Sequence, residues 1–123
     1  MSGVKPWARA DEHYIEDGDM SSDILGPWLD CSDVVLAGFH VQWSAFAATV
    51  GTLSIEGSND PTQDTFQTVT NVISDGTFPA VGATAAGAIV RVTNPPRFLR
   101  LKYTRTAGGT LAQMNAWTNS RSG

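Results

Sequence analysis

The side chains of this 123-residue chain that could do acid–base, nucleophilic or metal chemistry are His13, His40, the lone Cys31, and an acidic run with Asp17, Asp19, Ser21 and Asp23 at alternate positions. A nucleophile needs an activating base, and neither histidine sits in a motif that supplies one. There is no Gly-x-Ser-x-Gly elbow, no His-Glu-x-x-His pair and no phosphate-cradling glycine loop. His40 alternates with Phe39 and Val41 and reads as an outward polar residue of a strand, while Cys31 reads as a small buried or half-buried apolar side chain. The alternating acids have the spacing of calcium ligands. An EF-hand loop starting at Asp17, however, needs Gly at its sixth place and Glu at its twelfth, where Ser22 and Trp28 stand. A solvated acidic turn is the expectation. Carboxylate pairs for glycoside hydrolysis converge only in a fold, and nothing in the spacing points to one. The expectation is therefore no enzyme, no metal and no cofactor.

What remains is binding. Arg100 and Lys102 alternate along one strand with Arg91 and Arg97 nearby, a basic face for which protein carboxylate is the natural partner, because the aromatic interleaving that stacks nucleic-acid bases is thin. The net charge of −4 also argues against nucleic acid, whose binding releases counterions only against clustered Lys and Arg. Acids crowd the first quarter (Asp11, Glu12, Glu16, Asp17, Asp19, Asp23, Asp30, Asp33) and bases the last third (Arg91, Arg97, Arg100, Lys102, Arg105, Arg121). The two ends either pair within one fold or bring copies together head to tail. Of the tryptophans, Trp43 shares its phase with Phe39 and Val41 and belongs to a core. Trp28 and Trp117 remain as platforms on which a sugar ring could stack, with core or rim packing as the alternative.

The elements that must position these residues are strands. Charged residues are only 16% of the chain and hydrophobic ones 41%, so it has the means to fold, and its length suits one domain. Gly, Pro, Thr, Ser and Val favour short strands joined by turns. One cysteine excludes an intrachain disulfide framework. Neither a leader peptide nor an apolar run approaching about 18 residues is visible, so no export signal and no membrane span are expected. Residues 1–13 lack a sustained period and are read as an extended N-terminal arm, whose Trp7 either seeks a partner or folds back. Residues 14–123 are read as a single domain.

Periodicity of two begins after Ile24. Phe39, Val41 and Trp43 share a face, as do Leu53 and Ile55, then Val90 and Val92, then Leu99, Leu101 and Tyr103. These ten make the expected core, worth roughly 1.5–3 kcal/mol for each large side chain fully buried. Gly57-Ser58-Asn59-Asp60-Pro61 ends one strand. A short strand is expected around Phe66 to Val69, then loop from Asp75 to Gly87, and Asn94-Pro95-Pro96 closes the strand after it. Thr106 to Gly109 reads as a hairpin into a last strand at about Thr110 to Trp117 whose phase is ambiguous, followed by a fraying tail from Thr118. The pattern indicates an all-β fold, an antiparallel β-sandwich or jelly-roll-like barrel.

Leu29-Asp30-Cys31-Ser32, Gly38-Phe39-His40-Val41-Gln42-Trp43 and the stretch from Gly51 to Asp60, with Arg97 to Thr104 and Gly108-Gly109-Thr110-Leu111, resemble a pattern in small tailed-phage structural proteins. The likeness runs from about Ser22 to Trp117 and rests on strands and turns, not on a catalytic signature. The Gly-Ser-Asn-Asp turn is more weakly similar to one in discoidin-like β-sandwich modules. The phage resemblance implies a virion component made in the host cytoplasm, a head decoration (cement) protein or a minor tail or fibre piece. Its partners would be the major capsid protein or neighbouring virion subunits, and homo-oligomers are expected. Lys5, Trp7 and Arg9 of the arm, with Trp28, Arg100 and Lys102, are the candidate partner contacts. A carbohydrate-binding adhesin domain with Trp28 or Trp117 in its site is the alternative.

Overall fold

Alternate side chains turn inward where period two is strongest: all ten expected core residues, Phe39 through Tyr103, are buried. The computed structural model describes residues 12–44, 49–60, 69–82 and 86–122, and each element among them is a strand. In chain order these are β1 (Glu12–Asp19), β2 (Ile24–Leu25), β3 (Leu29–Asp30), β4 (Val34–Ser44), β5 (Val50–Ser58), β6 (Val69–Thr70), β7 (Ala86–Thr93), β8 (Phe98–Ala107) and β9 (Gln113–Ser122). One sheet has the order β1-β9-β4-β7 and the other β2-β8-β5-β6, with β3 also on β8. Every pairing is antiparallel. The chain is an all-β antiparallel sandwich, with Phe39, Val41, Val90, Met114 and Ala116 of one sheet facing Ile55, Leu99, Leu101 and Tyr103 of the other across the core. Among the described residues no helix is long and apolar enough to cross a membrane.

The pairings follow one scheme. β1 pairs with β9, β2 and β3 with β8, β4 with β7 and β5 with β6, so the first half of the chain meets the second in reverse order. Pro27 has no N–H to donate and separates β2 from β3. The Tyr14 hydroxyl fills that gap, donating to Pro27 O at 2.6 Å and accepting from Leu101 N–H at 3.3 Å. Its ring meets Phe39 edge to face, 5.9 Å between centroids. Tyr14 thereby ties β1 of one sheet to β8 of the other. Burial pushes its phenol pKa above the ordinary 10.0, more than the Leu101 N–H and Arg100 pull it down.

Several sequence expectations are corrected. β1 begins at Glu12, so residues 12 and 13 of the expected arm are in the sheet; residues 1–11 lie outside the described residues. The short strand expected from Phe66 is β6, Val69–Thr70, its earlier residues being outside those described. Residues 106–112 do not form a hairpin, because β8 and β9 lie in different sheets. Gly108, Gly109 and Leu111 all take positive φ there, and Ala112 N–H closes the turn on Gly109 O at 3.0 Å, which carries the chain across the sandwich. The tail from Thr118 does not fray: through Ser122 it pairs with β4 and completes a strand in the sheet interior. The phase of β9 is settled by Ala112, Met114 and Ala116 facing in, while Leu111 stands 78% exposed in the turn and Trp117 faces out.

Candidate contact surfaces

The two outward faces of the sandwich collect different chemistry. On the five-stranded sheet, β8 turns Arg100 and Lys102 outward and β5 places Glu56 directly opposite Arg100. Arg100 Nε donates to Glu56 Oε1 at 2.7 Å and Lys102 Nζ lies 3.5 Å from Oε2. Glu56 is only 4% exposed although Ile55 beside it faces the core. From the Gly26-Pro27 break, Trp28 reaches back so that its ring lies under the Arg100 guanidinium, 4.2 Å to the centroid. Phe98 meets the same indole edge to face at 6.5 Å and carries Arg97 on its own ring at 5.0 Å. Trp28, Arg100 and Lys102, picked out separately in the sequence, are thus brought together. Glu56 was not singled out, because a lone carboxylate in an apolar strand carries no local signal of its partner across the sheet. The basic face is therefore not bare. Its carboxylate comes from the middle of the chain, while the N-terminal acids reach the basic end through Asp23, which accepts from the Arg105 backbone N–H at 2.8 Å.

The four-stranded sheet presents rings and amides instead. One rung across the sheet aligns His13 of β1, Trp117 of β9, His40 of β4 and Ile89 of β7. His13 stacks on Trp117 with centroids 4.9 Å apart and planes 3° from parallel. His40 stands on the other side at 5.3 Å, tilted by 38°. Asn115 fixes the first histidine: its Oδ1 accepts from His13 Nε2 at 3.0 Å and from Asp17 N–H at 2.9 Å, so Nε2 must carry the proton. Asp17, at a φ of 52°, closes the arrangement by accepting from Asn115 Nδ2 at 3.3 Å. Hollows of about 490 and 460 Å³ lie beside this ridge, the first lined by Gly38, Arg91 and Asn119, the second by Gln42, Gln113 and Asn115. A Cβ at Gly38 would overlap the Asn119 carboxamide, so the glycine is what lets that amide lie across β4.

The remaining candidates fall elsewhere. Lys5, Trp7 and Arg9 lie outside the described residues. Asp19 is turned onto Ser21, whose N–H and hydroxyl at 2.9 and 2.7 Å hold its carboxyl below the ordinary range, and Asp23 faces Arg105. The alternate acids thus point to different partners, and among the described residues no three His, Cys, Asp or Glu side chains gather as a metal site needs. Cys31 is buried, its thiol 3.7 Å from Leu29 O. The Arg100 guanidinium covers one face of Trp28, and Trp117 stands half-buried at the edge of open space. No family model, curated protein or solved structure matches the chain.

Proposed function

We propose that this chain is a phage structural subunit, a head decoration protein that binds the capsid surface through protein–protein contacts, with the outer face of the five-stranded sheet as its contact face. The observation that carries this reading is the convergence of Trp28, Arg100 and Lys102 there, beside Leu25, which pairs with Lys102 and is 55% exposed. Tryptophan and arginine dominate the energetics of protein interfaces, and a side chain already immobilised loses less entropy on binding. Arg100 is held from two sides before any partner arrives. Two cations share one carboxylate, so the patch keeps positive charge for an acidic partner surface. The arm with Lys5, Trp7 and Arg9 would add contacts, and many copies on a lattice would add avidity.

The winding agrees. Counting β2 and β3 as one interrupted strand, the two sheet orders support reading the sandwich as a jelly roll, an architecture used by viral capsid and lectin domains. Fold alone does not assign function, so the test is attachment. Purified protein mixed with heads that lack it should co-sediment to saturation. Trp28→Ala and Leu25→Ser should each weaken attachment by at least tenfold, about 1.4 kcal/mol. Attachment indifferent to both would remove the face assignment, and absence of the protein from purified particles would remove the reading.

A further inference from the structure

On the opposite face, we propose that the ring ridge and its two hollows form a binding site for a neutral saccharide chain. This goes beyond the attachment reading and does not rest on it, since it uses the other sheet. A sugar offers hydroxyls, each both donor and acceptor, around a ring with apolar C–H faces. Primary amides match that chemistry because each also donates and accepts, and so satisfies a hydroxyl in either orientation. Gln42, Gln113 and Asn119 are exposed in or beside the hollows and make no side-chain hydrogen bond among the described residues. Arg91 lines the first hollow and has Asp75 3.3 Å from it, so the hollows themselves carry little unbalanced charge to select an anion.

The rings supply the other half of the match. Trp117 is held between His13, stacked on it at 4.9 Å, and His40, tilted by 38° at 5.3 Å, so the three rings form a fixed ridge whose outer rims border both hollows. C–H groups seat favourably against the electron-rich face of an aromatic ring. The hollows centre on rungs two residues to either side of the ridge, a step of about 7 Å along a strand, which leaves room for a saccharide unit on each side of Trp117. An open groove crossing a sheet face suits a chain laid across it. The donors and acceptors sit on paired strands and not on loops, so the spacing of their Cα positions is set before ligand binds.

The test is titration calorimetry of the full chain with maltohexaose, cellohexaose, chitohexaose and a soluble bacterial O-polysaccharide. At least one should bind saturably. Trp117→Ala should weaken that binding tenfold or more, as should the double variant Gln42→Ala/Asn119→Ala, which removes only exposed side chains and so separates binding from folding. Val69→Ser, on β6 of the other sheet, should leave it unchanged. No saturable binding across the four saccharides, or binding that survives both variants, overturns the proposal. If the four saccharides fail and Trp117→Ala instead reduces attachment to phage heads, the ridge is a protein contact and the saccharide proposal falls while the attachment reading stands.

Discussion

The two outer faces are built from the same strand geometry and differ in what their polar groups have already found. On the five-stranded sheet Arg100, Lys102, Glu56 and Trp28 hold one another in place, with one positive charge left over. On the four-stranded sheet the rings lean together, but the amides of Gln42, Gln113 and Asn119 find no partner among the described residues. A closed ionic cluster is expensive to disturb and offers a finished surface. An open row of amides contributes little to folding and is left for something outside the chain.

That contrast can be broken first at Glu56. Glu56→Ala leaves a mostly covered Arg100 without its carboxylate, and loss of one partner of a buried pair costs about 3 kcal/mol or more. Urea denaturation should show it, and a loss below about 1 kcal/mol would mean that the cluster is solvated like an ordinary surface pair. Next comes Tyr14, between the faces. Tyr14→Phe removes the donor to Pro27 O and should cost about 1–2 kcal/mol in the same assay. The phenol also makes a pH prediction. Its folded pKa is raised, so the native state favours the neutral form; that stability is complete below pH about 10 and is lost as pH rises beyond it. Burial raises Tyr103 too, so Tyr14→Phe should flatten only part of the alkaline decline in melting temperature.

A smaller effect is expected on the open face. His13→Ala removes one stacked ring and should cost about 0.5–1.5 kcal/mol, well short of Glu56→Ala. A cost equal to that of Glu56→Ala would erase the distinction between the faces. The smallest effect has the opposite sign. Leu111 holds a φ of 66° in the turn between sheets with its side chain in solvent, a conformation that Asn tolerates better than Leu. Leu111→Asn should therefore raise stability by about 0.5–1 kcal/mol.

The core was legible because Phe39, Val41 and Trp43, and then Leu99, Leu101 and Tyr103, keep strict alternation on unbroken strands. β1 was not, because register shifts between His13 and Ile15 and between Ile15 and Gly18, with Asp17 at positive φ, break the period on which such reading depends. The end of β9, from Thr118, escapes such reading for a different reason. Asn119 and Arg121 turn outward and Ser120 and Ser122 stand between and after them, so the end of a strand lying between two others in the sheet looks like a polar tail. The glycines at 108 and 109 do make a tight reversal, but only tertiary packing decides that the chain crosses to the other sheet. Of the surfaces, Trp28, Arg100 and Lys102 were readable one by one, while their convergence on Glu56 and the His13–Trp117–His40 rung belong to cross-strand register, which local pattern does not encode.

The place of β9 has a consequence for biosynthesis. β1 and β4 flank it without pairing with each other, so β1 has no partner strand in its sheet until residues 113–122 have been translated. A nascent chain stopped short of them would expose the edges of two unjoined strands, and maturation should accordingly be slow, late and prone to mispairing between ribosome-bound neighbours.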